Sequence, residues 1–206
     1  MKNIVILISG RGSNMQAIVN AGIPDVRIAA VLSNSATAAG LAWAAERGIP
    51  TDSLNHKDFA SRGAFDQAMM EKIDAYQPDL VVLAGFMRIL TPEFCTRYES
   101  RLMNIHPSIL PSFTGLHTHE RALAAGCRVA GCTIHFVTPE LDRGPIISQG
   151  VVPIFDNDTA DDIAARVLKV EHRLFPQAVA DFAAGRLKIE GNRVINSRNQ
   201  PEDRPL

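Results

Sequence analysis

Apolar residues fall along this chain in short continuous runs, each followed by a stretch where they recur at helical spacing. Residues 3–8 (NIVILI) form such a run and end in the polar, glycine-rich SGRGSN. A run without polar alternation predicts a strand buried on both faces, as in a parallel sheet. Helical spacing follows over 15–21, a second strand over 27–32, and an alanine-rich helix over 36–47. Gly48, with Pro50 just beyond, closes that helix. Residues 62–76 supply another helix and 79–84 (DLVVLA) another buried strand.

The second half continues with a short helix over 92–98, a strand over 102–106, a long loop to about Thr118 and a helix over 119–125. A strand over 131–137, the tight turn PELDRGP and a strand over 146–154 come next. Thr159 opens the longest helix, with Asp161 and Asp162 in its first turn where negative charge suits the dipole. Pro176 is expected to kink or divide it. Residues 186–195 read as two short strands about Gly191-Asn192, a closing hairpin. The pattern predicts an α/β fold: a Rossmann-like, mostly parallel sheet with helices on both faces and a mixed C-terminal part. One domain is expected over 1–195 and a flexible tail over 196–206.

Composition narrows the partners. A chain of 206 residues, 46% hydrophobic and 21% charged, suits an ordinary globular core. The formal charge of −1 without like-charge blocks excludes the electrostatic footprint of a general nucleic-acid binder, so small molecules are the expected ligands. Cys95, Cys127 and Cys132 lack CxxC spacing and are expected as reduced thiols. No apolar stretch reaches the ~20 residues of a membrane span, and a glycine loop stands where a signal-peptide cleavage site would. A cytoplasmic protein is the expectation.

SGRGSN lies between a strand and a helix, where free backbone N–H groups and the helix dipole suit an anion, phosphate above all. After Gly10 and Gly12 the third glycine of a dinucleotide fingerprint is missing, and no Gly-Lys-Ser/Thr follows, so neither a nicotinamide cofactor nor a Walker loop is implied. Ser13 and Asn14 can add side-chain hydrogen bonds. The alternative is a tight turn and helix cap without a ligand.

The stretch LMNIHPSILPSF, residues 102–113, carries the chemistry. Asn104 and His106 are two apart on a strand and share one face. An amide donor beside an imidazole, at what reads as the exposed end of the strand, suits a carbonyl oxygen that gains negative charge while a proton moves near neutral pH. Acyl-type transfer follows as the hypothesis. Asp142, in ELDRGP, either caps its own turn or orients the imidazole and stabilises its charged form. Residues 87–90 (MRIL) follow a buried strand at a carboxyl-end loop, where they line a ligand pocket or pack into the core. Arg62 and Arg88 meet acidic ligand groups or stay solvated, and Glu171 and His172 face either the cleft or water. His117 and His119 have metal-ligand spacing without further ligands, so no metal is expected. His56 and His135 read as surface and strand residues.

SGRGSN, VVLAGFMRIL at 81–90, NIHPSILPSFTGLHTHERAL at 104–123, GCTIHFVTPELDRGPII at 131–147 and VEHRLFP at 170–176 together resemble the phosphoribosylglycinamide formyltransferase family, folate-dependent enzymes of purine synthesis. The blocks come in the family's order from the amino terminus to residue 176. The resemblance implies 10-formyltetrahydrofolate as co-substrate, a phosphate- or nucleotide-binding half over 1–100 and a folate-binding half over 101–195. Gly12, Ser13 and Asn14 match its phosphate-binding positions and Glu171 an acidic contact to the glycinamide substrate. Arg62, Met87, Arg88, Ile89, Leu90 and Asn104 match its folate contacts, and Asn104, His106 and Asp142 its catalytic trio. Some relatives carry a basic residue three positions before the acid; here Leu168 stands there, with Lys169 adjacent. A monomer or weak homodimer is expected.

Two other kinds of formyl-folate enzyme share the HP-x-x-LP and D-x-G-P region. One hydrolyses the cofactor and carries a regulatory domain before the glycine loop; the other formylates an aminoacyl-tRNA and carries an extra basic domain. Neither domain is expected here. A non-catalytic phosphate sensor would keep the glycine loop but has no use for Asn104, His106 and Asp142.

Overall fold

A computed structural model describes residues 1–199. The chain runs β1 (Lys2–Ile8), α1 (Ser13–Asn20), β2 (Val26–Ser33), α2 (Ala39–Ala45), β3 (Thr51–Ser53), α3 (Arg62–Asp74), β4 (Leu80–Leu83), α4 (Pro92–Arg97) and β5 (Leu102–His106). It continues through α5 (Thr118–Ala124), β6 (Val129–Phe136), β7 (Ile146–Pro153), α6 (Ala160–Ala183), β8 (Leu187–Glu190) and β9 (Arg193–Asn196). These strands form one sheet in the order β3-β2-β1-β4-β5-β6-β7-β9-β8. From β3 to β5 all pairings are parallel, whereas β6 runs antiparallel to both β5 and β7.

Alternation along β1 explains its unbroken apolar run. Ile4, Ile6 and Ile8 pack with Met15, Ile18 and Phe175 on one face, while Val5 and Leu7 pack with Phe65, Met69, Phe94 and Tyr98 on the other. Each such burial contributes about 1.5–3 kcal/mol, so neither face tolerates a polar residue. The helices α1, α2, α5 and α6 cover the first face, and α3 and α4 the second.

Three sequence expectations need correction. The polar edge strand β3, TDS, carries no apolar signal and was not expected. Helix α2 starts at Ala39 rather than residue 36. Pro176 does not divide α6, which continues over 24 residues. Ile163 and Val167 before the proline and Ala178 and Val179 after it are all buried in one core, so tertiary packing outweighs the lost backbone bond. Thr159 caps α6 as expected: its Oγ1 accepts the Asp162 N–H at 3.2 Å, and Asp162 Oδ2 accepts the Thr159 N–H at 2.8 Å.

The closing hairpin forms, and Asp181, 2% exposed on α6, anchors it by accepting from Arg186, Asn196 and Arg198. Of the expected tail, Asn196 belongs to β9 and Ser197–Asn199 to a 3₁₀ turn; the remainder lies outside the described residues. Among the described residues no helix is long and apolar enough to cross a membrane. All three cysteines are free, with Cys95 and Cys132 buried.

Candidate active site

The parallel strands β1, β4 and β5 end on one edge of the sheet, where open α/β sheets bind ligands. At the end of β1, Gly12 adopts a left-handed conformation (φ 67°) and precedes α1 without a side-chain cap. The first N–H groups of α1 are therefore left for a ligand. Gly40, on α2, donates its N–H to Gly10 O at 3.1 Å. A Cβ at Gly40 would lie 2.4 Å from Ile8 Cδ1 and 2.8 Å from Arg11 O, so only glycine admits this approach. Ser9 Oγ donates to Asn34 Oδ1 at 2.7 Å and accepts the Met87 N–H at 2.8 Å, tying the glycine loop to the loop after β4. A cavity of about 350 Å³ lies between them, lined by Gly12, Ser13, Asn14, Gly85 and Met87 among others.

Asn14 Nδ2 donates to Glu171 Oε2 at 2.9 Å, and Asn14 Oδ1 is buried without a protein partner. Burial pushes the Glu171 carboxyl above its ordinary value, against the opposing pull of Asn14 and of His106. Glu171 thus turns inward onto Asn14 of the glycine loop and away from water. Its neighbour His172 has a buried, unpartnered Nε2, and burial holds its imidazole below the usual value.

On β5, Met103 and Ile105 enter the core beneath α6, which leaves Asn104 and His106 together on the other face. The antiparallel register sets His135 opposite Asn104 and Thr133 opposite His106. Asn104 Nδ2 lies 3.4 Å from His135 Nε2, and His135 Nδ1 lies 3.0 Å from Phe136 O. Burial holds His135 below its ordinary pKa, which favours the neutral ring. With Nδ1–H donating to the carbonyl, Nε2 is the acceptor, so the Asn104 amide donates to it and keeps a second N–H free.

His106 is only 6% exposed, a correction to the exposed strand end expected from sequence. The loop after β5 folds back over it, and His106 Nε2 meets Phe113 O at 2.9 Å. Its Nδ1 lies 3.7 Å from Asp142 Oδ2. Asp142 does not cap its own turn: its Oδ2 accepts the Gly115 N–H at 2.9 Å, from the loop that covers His106. A left-handed backbone (φ 54°) turns Asp142 inward. Gly144 makes that turn possible, because a Cβ there would lie 1.6 Å from Phe136 O.

The loop after β4 splits between the two readings offered for it. Met87 and Ile89 are 69% and 58% exposed, whereas Leu90 packs against the core under α3. The Arg88 guanidinium stands 4.1 Å from the centre of the Phe65 ring, with Nε buried and unpartnered. Arg62 is exposed at the start of α3 and makes no hydrogen bond or ion pair to the other site residues among the described ones. His117 pairs with Glu120 at 4.0 Å, and burial holds His119 below its usual pKa. No group of three or more His, Cys, Asp or Glu among the described residues is placed to hold a metal.

A glycine loop with free helix N–H groups and the residues Asn104, His106 and Asp142 thus stand at one edge of the sheet. The formyl transferase pattern matches residues 2–179. The chain belongs to the formyl transferase family. It is 51% identical to the phosphoribosylglycinamide formyltransferase of Escherichia coli K12 over 92% of its own length and 91% of that protein's. The glycinamide ribonucleotide transformylase 1 of Symbiobacterium toebii superposes with a TM-score of 0.92 at 46% identity, covering 95% of this chain and 94% of that one. The phosphoribosylglycinamide formyltransferase of Brucella melitensis gives 0.84 at 52%, over 89% and 96%. The mostly parallel sheet with antiparallel C-terminal strands is the architecture shared with these formyl transferases.

Ser9, Gly40 and His135 escape sequence reasoning. Ser9 opens SGRGSN, but its side chain reaches Asn34 and Met87, and Gly40 meets the loop from another helix, at distances in sequence that no local pattern reports. His135 was legible in principle: it lies on the strand that pairs antiparallel with β5, directly opposite Asn104, which needs a partner.

Proposed function

We propose that the chain transfers the formyl group of 10-formyltetrahydrofolate to the primary amine of 5'-phosphoribosylglycinamide, giving the N-formyl product and tetrahydrofolate in de novo purine biosynthesis. The observation that supports this reading best is His106 beside Asp142, on the strand face that also carries Asn104 and within reach of the Asn14–Glu171 pair. Gly12, Ser13 and Asn14 hold the ribose phosphate at the start of α1, and Glu171 takes the glycinamide end. Met87, Arg88, Ile89, Leu90, Arg62 and Asn104 receive the folate. Exposed apolar Met87 and Ile89 beside the unpartnered Nε of Arg88 suit a flat ring with polar edges.

The amine attacks the formyl carbon, and its oxygen becomes an oxyanion. The free N–H of Asn104 donates to that oxygen, as does His106 Nε2 once it turns from the Phe113 carbonyl. Losing one such donor costs on the order of 100-fold in rate. Asp142 holds the charged imidazole in place while a proton passes from the attacking nitrogen to the departing folate nitrogen. Attack forms the new C–N bond, collapse of the oxyanion then breaks the old one, and no covalent enzyme intermediate is required.

We further propose a phosphate-binding half over 1–100, a folate-binding half over 101–195, a monomer or weak homodimer, and a cytoplasmic location that agrees with the free thiols. The test is to mix purified protein with both substrates and follow products by mass. Formylated glycinamide ribonucleotide supports the reading; free formate points to hydrolysis instead.

A further inference from the structure

Asp66 is a carboxylate with 1% of its surface exposed, on the helix α3 whose Phe65, Met69, Met70 and Ile73 belong to the core on the second face of the sheet. No cation pairs with it among the described residues. Its Oδ2 accepts one hydrogen bond, from Thr91 N at 2.8 Å, and its Oδ1 is buried without a partner. A buried carboxylate served so sparsely costs stability. Its partner says what the cost secures. Thr91 closes the loop after β4 and caps α4, with Oγ1 accepting the Phe94 N–H at 3.3 Å.

One residue before Asp66, Phe65 puts its ring under the Arg88 guanidinium. Arg62, Phe65 and Asp66 stand at i, i+3 and i+4, one face of α3 in its first turns. At the far end of the loop, Ser9 Oγ holds the Met87 N–H. Residues 87–90 are thus fixed at both ends and from below, although Met87 and Ile89 themselves point outward.

We propose that Phe65 and Asp66 are positioning residues that fix the geometry of the 87–90 loop for its folate ligand. This rests on the reading that 87–90 meets the folate, which an independent variant checks.

The test is steady-state kinetics of the full chain. Asp66→Ala raises KM for 10-formyltetrahydrofolate about tenfold and leaves KM for glycinamide ribonucleotide and kcat unchanged, the loss expected when a buried N–H loses its acceptor. Asp66→Asn retains an acceptor oxygen for Thr91 and restores most of the folate KM, a rescue that general destabilisation would not give. Phe65→Leu keeps apolar volume but removes the ring beneath Arg88, raises the folate KM selectively, and decides the matter if Asp66→Ala does not fold. Leu90→Ala serves as the check on the loop itself. If Leu90→Ala raises the folate KM while the Asp66 and Phe65 variants leave it unmoved, or move both KM values together, the positioning role is wrong. If Leu90→Ala also leaves it unmoved, the loop does not meet the folate.

Discussion

His106 Nδ1 lies 3.7 Å from Asp142 Oδ2, with side chains only 8% and 7% exposed. The two residues come from a strand end and from a turn after the next strand, and meet because β6 returns antiparallel along β5. Both ring nitrogens of His106 face acceptors, Asp142 Oδ2 on one side and the Phe113 carbonyl on the other.

Asp142→Asn keeps the shape of that contact and removes its charge. The expected result is a fall in kcat of about tenfold or more with both KM values little changed, measured by steady-state kinetics. An unchanged kcat would separate the carboxylate from the imidazole.

His135 is held below its ordinary pKa by burial, so it contributes stability that is full above 6.5 and is lost as pH falls through the lower folded value. Protonation also replaces the lone pair that receives Asn104 with an N–H. His135→Leu is expected to lower kcat about tenfold, while His135→Gln keeps an acceptor and recovers most of it. Thermal unfolding between pH 7 and pH 5 should fall less steeply in His135→Gln than in the wild type. It should not become flat, because burial acts on His119 in the same sense.

Glu171 has the opposite sign. Its raised pKa means that the fold favours the protonated carboxyl; that stability is full below the ordinary 4.5 and is lost as pH rises through the folded value. Glu171→Gln removes the penalty and keeps an acceptor for Asn14. The variant is expected to melt higher at pH 7 to 8, by about 2–4 °C for each kcal/mol relieved, and to show a raised KM for glycinamide ribonucleotide. A lower melting temperature would contradict the assignment of strain to function.

Gly12→Ala places a Cβ 3.0 Å from Met15 Cε on a backbone with φ 67°. The left-handed conformation costs roughly 1–2 kcal/mol for a residue with a side chain. The loop is expected to shift, raising KM for glycinamide ribonucleotide but not for the folate. A change confined to the folate would reverse the two sites.

Local chemistry made much of this molecule legible. The run at 3–8 announces a strand with two buried faces, and the spacing of Asn104 and His106 announces one shared surface. What stayed hidden depends on the third dimension. Asp142 had two readings until the loop carrying Gly115 supplied the N–H that it accepts. His106 looked exposed because nothing local reports that the loop after β5 folds back to Phe113. Pro176 obeyed packing over propensity, and the polar β3 pairs through its backbone alone.

The most direct measurement is the single-turnover rate of formyl transfer to glycinamide ribonucleotide by His106→Ala, with folding checked by circular dichroism. The expected result is a native spectrum and a rate lower by about 100-fold or more. A native spectrum with a rate near that of the wild type would remove His106, and the charge-stabilising site built around it, from the reaction.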